Sequence, residues 1–196
     1  MIEIKIDDKE IVGKLSKIKD KTKLLKRIAI YIEGWTIRLF NKQQDPYGNK
    51  WKPLKLNTKR KNSSKILIDT GTLRNSIKAN VISEDTIRLG VVGDLVYAKT
   101  HQFGAIITPK RAKALTIPLT SESRYLTLSA IKTRYYAIFL RKGVIFGIKT
   151  KNSKPIALYY LSKKAEIPAR PFLPYKNELP NDWKSFIINE VIRQIK

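Results

Sequence analysis

The chain has no cysteine. That excludes a disulfide framework, cysteine–zinc sites and a catalytic thiol, and it suits a protein folded in a reducing compartment. There is one histidine, His101, and only 16 acidic residues stand against 40 basic ones. Carboxylates this sparse and scattered do not form the cluster that a metal-dependent nuclease needs to hold its ion. A serine–histidine–acid site would require His101 to meet Asp69 or Asp94 and a serine, and no nucleophile-elbow signature accompanies them. No Gly-rich phosphate loop is present, since Gly143 and Gly147 stand isolated. No apolar run approaches the roughly 20 residues that span a bilayer. Ile2-Glu3-Ile4-Lys5-Ile6 alternates like a strand and is unlike a signal peptide. These absences lead away from an enzyme, a cofactor protein or a membrane protein, and the expectation is a protein made and used in a cytoplasm, with no catalytic, metal or cofactor site.

What the chain has is positive charge. Its 196 residues carry a net charge of +24, with a pI near 10.2, and 42% of them are hydrophobic, enough to build a real core. Between Pro46 and Ile68 lie seven basic residues and no acid; between Leu95 and Ala165 lie fourteen basic residues and one acid, Glu122. Such blocks attract nucleic acid or an acidic protein. A lysine-rich, AT-biased genome would also raise the overall charge, but it accounts less well for the acid-free blocks. Lys59, Arg60, Lys61, Lys110, Arg111, Lys113, Arg134, Arg141 and Lys142 are the candidates to face DNA or a partner.

The organising stretch runs from Asp45 to Ile77. Asp45-Pro46-Tyr47-Gly48 reads as a turn, with Pro46 presetting its φ, Gly48 free to take a positive one, and Asp45 bonding back. Trp51 follows as an anchor between helix and sheet, and Asp69-Thr70-Gly71 is expected beside the turn. Asp69 or Thr70 is expected to cap a short helix carrying Leu73 and Ile77. Upstream, a strand is predicted at residues 2–6, a helix from near Lys9, and an amphipathic helix through Leu24, Leu25, Ile28, Ile32, Trp35 and Leu39 to near Gln43. Lys59 to Lys65 reads as a loop that is mobile until assembly. Strands are predicted at Ala79–Ser83 and Thr86–Val92, a helix or turn at Tyr97–Phe103, and strands at Leu115–Leu119 and Ile156–Leu161. Tyr135–Leu140 and Val144–Ile148 flank a hairpin at Arg141-Lys142-Gly143, and Leu126–Ile131 fits either state. Pro168, Pro171 and Pro174 mark an extended segment before a last helix carrying Trp183, Phe186, Ile187, Val191 and Ile195. The fold class is therefore α+β: N-terminal helices on an antiparallel sheet through residue 104, a β-rich insertion at 105–166, and residues 167–196 completing the core with a C-terminal helix.

Taken in order, Asp45 to Trp51, Thr58 to Lys61, Ile66 to Ser76, Tyr97 to Gly104 and Pro168 to Leu173 resemble the phage virion morphogenesis proteins, which include the tail-completion proteins of Mu-like phages. The resemblance spans Trp35 to Leu173 and departs at Ala105, where the family often has a second glycine. It implies a structural and assembly role for Asp45, Gly48, Trp51, Asp69, Thr70, Gly71, Leu73, Ser76, Tyr97, His101, Gln102, Gly104, Pro168, Arg170, Pro171, Phe172 and Leu173. It also implies a homo-oligomeric ring at the tail end or the head–tail neck. Partners would be other neck, tail-tube or connector proteins and packaged DNA, in the virion or in the host cytoplasm during assembly.

Several residues keep two readings. His101 is either a hydrogen-bonded core residue or a catalyst. Arg170, held extended by its prolines, either clamps internally on a carboxylate such as Asp69 or binds a neighbouring subunit. Tyr135, Tyr136, Tyr159 and Tyr160 are either alternating strand residues or a stacking platform for nucleic acid. Against the structural phage protein stands a basic nucleic-acid-binding accessory protein, and a nuclease ranks behind both.

Overall fold

The computed structural model describes residues 3–4, 13, 18, 21–54 and 65–195. The expected helix from Lys9, the basic Lys59-Arg60-Lys61 and nearly all of the predicted mobile loop lie outside the described residues. The chain is α+β, as its patterning predicts, and it divides into two compact units.

The first unit is built on α1 (Thr22–Lys42), whose 3.6-residue period buries Leu24, Leu25, Ile28, Ala29, Ile32, Leu39 and Phe40. The helix ends at Gln43, which takes a left-handed φ of 57°. A glycine would adopt that φ more readily. Gln43 is held there by its side-chain amide, which accepts from Ile66 N and donates to Ile66 O. Packed on α1 is an antiparallel sheet in the order β1-β3-β2: β1 (Glu3–Ile4), β2 (Ile77–Val81) and β3 (Ile87–Val91). Glu33 fixes helix to sheet, accepting from Lys78 Nζ and from Ala79 N, both at 2.9 Å. α2 (Thr72–Asn75) precedes β2, α3 (Val96–Phe103) follows β3, and α6 (Asn181–Ile195) closes the unit. Within this core Trp183, Ile187 and Val191 of α6 join Phe40, Trp51, Ile77, Val91, Phe172 and Leu173. Glu190 is buried, yet it is paired with Arg27 of α1 at 2.8 Å and Arg193 at 2.9 Å. Two cations on one buried carboxylate satisfy the requirement that a buried charge be matched.

The short helix α2 differs from expectation. Its N-cap is Gly71, with φ 83° and no side-chain cap, while the Thr70 hydroxyl lies 2.7 Å from that of Thr72. The chain enters the helix through a left-handed residue, which glycine permits, so Gly71 takes the N-cap position rather than Asp69 or Thr70, while Thr70 Oγ1 accepts from Thr72 N at 3.4 Å. Ile77 has already passed into β2, although it and Leu73 are both buried.

The second unit includes Ala105–Ile167. Its ends are tied by β4 (Ala105–Ile107) and β9 (Ala165–Ile167), an antiparallel ribbon with Ala105 opposite Ile167. Between them lies a four-stranded antiparallel sheet, β5-β8-β7-β6, formed by β5 (Leu115–Pro118), β6 (Ala137–Arg141), β7 (Val144–Ile148) and β8 (Ile156–Ser162). Pro118 sits on the edge strand β5, where its missing N–H costs no ladder bond. Of Leu126–Ile131, which fits either state, Leu126 and Thr127 are extended and the rest is helical, in α5 (Leu128–Arg134); α4 (Ser121–Tyr125) precedes it, and the two helices are capped by the hydroxyls of Thr120 and Thr127.

The core of this unit is small and depends on one irregularity. Ile145 pairs with Tyr159 and Phe146 with Ala157, which leaves Leu158 as a bulge. The extra residue turns Leu158 and Tyr159 to the same side. Both are buried there with Ile131 and Tyr135. The Tyr135 ring lies on Gly147, where an added Cβ would meet Tyr135 Cδ1 at 2.5 Å and Leu158 Cδ1 at 2.7 Å. Gly147→Ala is therefore expected to destabilise this unit by about 1–3 kcal/mol through overpacking. Urea unfolding followed by tyrosine fluorescence would detect the loss, and an unchanged midpoint would refute this packing. No helix among the described residues is long and apolar enough to cross a membrane.

Candidate assembly site and basic surface

The motif residues from three distant parts of the chain meet inside the first unit. Asp45 is buried and receives four hydrogen bonds: from the N–H groups of Tyr47 and Asn49, from Asn49 Nδ2, and from the Tyr175 hydroxyl at 2.9 Å. Pro46 and Gly48, at φ 89°, close the turn as their residue types dictate. The Tyr47 hydroxyl donates to Glu178 O at 2.8 Å, and burial pushes both the Tyr47 and Tyr175 phenols up from their ordinary value. The turn is thus bonded to residues 175–178, a partnership that the local sequence does not announce.

Trp51 is 5% exposed, lies edge-on to Phe40 at 5.4 Å, and donates from Nε1 to Pro171 O at 2.8 Å. Arg170 is also buried, and burial lowers the pKa of its guanidinium. Among the described residues it reaches no carboxylate. Nε donates to Lys52 O at 2.8 Å and Nη2 to Pro53 O at 3.1 Å, while Arg170 N donates to His101 O. The clamp is internal, and the expected Asp69 partner is replaced by two backbone carbonyls beside Trp51, which satisfy the fork without a second buried charge.

Gln102 completes the lock. It is 1% exposed on α3; its Oε1 accepts from Phe172 N at 3.0 Å and Leu173 N at 3.1 Å, and its Nε2 donates to Leu173 O at 2.9 Å. One amide side chain therefore satisfies three buried main-chain groups, so the segment can run through the core with Phe172 and Leu173 both fully buried. His101 packs edge-on to Tyr97 at 5.9 Å. Gly104 takes φ 75°, and Ala105 then starts β4, where no second glycine is required. Ser76 bonds Leu73 O, and Pro168 leads into the extended segment. Among the described residues no group of three or more His, Cys, Asp or Glu could hold a metal ion.

The basic candidates sit on the second unit. Lys110, Arg111 and Lys113 are exposed between β4 and β5, Arg134 ends α5, Arg141 ends β6, and Lys142 lies in the β6–β7 turn. Ala105–Ile167 contains thirteen Lys and Arg residues against two acids, a net charge of +11 in 63 residues; the other 133 residues carry +13. Of the two acids, Glu122 receives the Tyr135 hydroxyl at 2.9 Å and lies 3.7 Å from Arg134 and 3.4 Å from Lys149. The Tyr135 hydrogen bond, followed by these cations, holds the Glu122 carboxyl below its ordinary value; burial and Glu122 push Tyr135 up to about 12. Tyr135 and Tyr159 are thereby core residues, while Tyr136 and Tyr160 are exposed.

A family model described as the phage virion morphogenesis family matches residues 9–136. No curated protein and no solved structure matches the chain. The Pro-Ala-Arg-Pro-Phe-Leu segment lies beyond the matched range, yet Trp51, His101 and Gln102 within that range bind it. The chain belongs to the phage virion morphogenesis family, and its role is a structural one in building the phage particle.

Proposed function

We propose that the protein acts in tail completion or at the head–tail neck, as one subunit of a homo-oligomeric ring, with its Ala105–Ile167 unit turned toward a negatively charged neighbour. The first unit spends Asp45, Trp51, Leu73, Gln102, Arg170, Phe172 and Leu173 on its own interior. Contacts with other neck, tail-tube or connector proteins and with DNA then fall to surface groups. The observation that carries the reading is the charge of the Ala105–Ile167 segment of the second unit, +11 in 63 residues. Identical subunits in a ring bring like charges together, and repulsion between them is relieved by salt within a Debye length of about 8–10 Å or by an acidic surface alongside. Packaged DNA supplies such a surface, and contact with it runs through phosphates, independent of sequence. Rings of this kind close through heterologous contacts.

Charge reversal at Lys110, Arg111 and Lys113 tests the reading. The variant should fold normally by circular dichroism and fail to support particle completion. A variant that completes infectious particles at the normal yield would show these cations to be only a solvated face. The same charge density also fits a basic accessory protein; a purified chain that binds duplex with a steep salt slope yet stays monomeric would favour that alternative.

A further inference from the structure

The four-stranded sheet of the second unit has two edges, and only one of them is blunted. β8 stays paired with β7 as far as the β6–β7 turn, through Val144 with Tyr160 and Leu161 N to Gly143 O, and β5 pairs with β8. Edge strand β5 carries Pro118, a residue that discourages further pairing. Strand β6 is the opposite edge; it has no proline and no lysine, and among the described residues β7 is its only strand neighbour. Arg141 and Val144 flank the two-residue loop Lys142-Gly143, which makes them a hydrogen-bonded pair, and such pairs recur at Phe139 and Ala137. The N–H and C=O groups of Ile138 and Leu140 therefore face away from β7, along the edge. A row of this kind is a template for another strand.

The side chains at this margin are apolar on both faces of the sheet. Leu140 pairs with Ile145, which pairs with Tyr159, so it lies on the core side, yet it is 61% exposed. On the other face Phe139 stacks on Phe146 at 5.5 Å and is also exposed. Cations stand at both ends: exposed Arg141 and Lys142 close the strand, and exposed Arg134 precedes it. Between Glu122 and Glu166 lie ten basic residues and no acid. Glu122 itself is engaged by Tyr135, Arg134 and Lys149.

We infer that β6 takes up, as a fifth strand, an extended acidic segment of a neighbouring protein. Strand addition supplies main-chain bonds to Ile138 and Leu140, and alternate side chains of the incoming segment pack on Leu140 and Phe139. When that segment runs antiparallel to β6, carboxylates at its N-terminal end meet Arg141 and Lys142. Charge decides the occupant. A second copy of this unit would set cations beside cations. A duplex offers phosphates to the cations but no main-chain donors to the outward carbonyls. The inference rests on the acidic neighbour proposed above and, at this edge, gives that neighbour a protein backbone.

Fluorescence anisotropy of the full-length protein with a labelled, end-blocked peptide, Glu-Glu-Val-Thr-Val-Thr-Val, tests it. The wild type should bind this peptide. N-methylation of its valines blocks one edge of the peptide backbone, and N-methylation of its threonines blocks the other. One modified peptide should lose binding and the other keep it. Leu140→Pro removes an outward N–H without touching the β6–β7 ladder; it should weaken binding about tenfold, the share of roughly one main-chain hydrogen bond, at an unchanged melting temperature. Arg141→Ser combined with Lys142→Asn should weaken binding several-fold. No binding of the parent peptide, equal effects of the two modifications, or wild-type affinity in Leu140→Pro would overturn strand addition. The two modified peptides, used on the wild type, decide the matter even where Leu140→Pro folds poorly. Sedimentation in which the wild type self-associates and Leu140→Pro is monomeric would give the edge to a second copy and overturn the acidic partner. Each of these failures leaves the charge reversal at Lys110, Arg111 and Lys113 to decide the broader reading by itself.

Discussion

Replacing Trp51 with alanine is expected to cost about 3–5 kcal/mol, the range for large aromatic truncations in a core. Three losses combine. The indole is 5% exposed, so its apolar surface is almost wholly removed from water in the folded state. Its edge-on packing with Phe40 disappears, and Phe40 itself packs on Phe172 at 5.8 Å. Pro171 O loses the Nε1–H donor at 2.8 Å, and a buried carbonyl without a partner carries its own penalty. Thermal unfolding should shift down by about 6–20 °C for a chain of this size. Trp51→Phe, which keeps most of the volume and removes only the donor, should lose much less. An alanine variant that melts with the wild type would mean that Trp51 does not anchor this core.

Gln102→Leu should be nearly as damaging, for a different reason. Leucine keeps the burial and much of the volume, so the transfer term changes little. What disappears is the partner of Phe172 N, Leu173 N and Leu173 O, three main-chain groups in a buried segment. An unsatisfied buried group costs about 1–3 kcal/mol, and with partial relaxation the sum is expected near 3–6 kcal/mol. Amide hydrogen exchange gives a local test: Phe172 and Leu173 should be protected in the wild type and exchange rapidly in the variant. Tyr97→Ala, on the same helix but 43% exposed, is the comparison and should shift stability by less than about 1 kcal/mol. If Gln102→Leu proves as mild as Tyr97→Ala, the amide is not what holds the 168–174 segment.

These two residues also mark the boundary of what the sequence makes legible. Features with a local period or a local turn chemistry are readable: the buried stripe of α1, the Asp-Pro-Tyr-Gly turn, the Glu84-Asp85 and Lys142-Gly143 hairpins, and α6 behind its prolines. Each is decided within a few residues. Gln102 binds groups 70 and 71 positions away, and Arg170 binds carbonyls 117 and 118 positions away. Their partners are backbone atoms, which every residue carries, so no residue type betrays the pairing. That is why Arg170 invites a carboxylate as its target and finds peptide oxygens instead. The Leu158 bulge is equally silent, because two adjacent apolar residues in a strand look the same whether one or both face the core. The cap of α2 escapes a local reading because Thr70 offers its hydroxyl and Gly71 its φ, and the backbone path, which the sequence does not spell out, favours the glycine. The basic blocks are plain in the sequence, whereas their concentration on one compact unit becomes visible only when β4 and β9 define where that unit starts and stops.

The β4–β9 ribbon bears on the order in which the chain condenses. The first unit is discontinuous, and its Gln102 and Arg170 bonds require the ends of a long excursion to come together. Closing a flexible loop of that length costs entropy that grows as the logarithm of its residues. Ala105–Ile167 is contiguous, and its strands pair as hairpins and near neighbours, so it can collapse by itself as soon as it has been synthesised. Once Ala105 lies opposite Ile167, Gly104 and Pro168 are held about a strand spacing apart, roughly 5 Å. The search that brings Arg170 N to His101 O then spans four positions from Ala105 on one side of the closed clasp and three from Ile167 on the other. Folding of the inserted unit thus absorbs the closure entropy in advance, and the segment that follows it finds its docking partners already gathered.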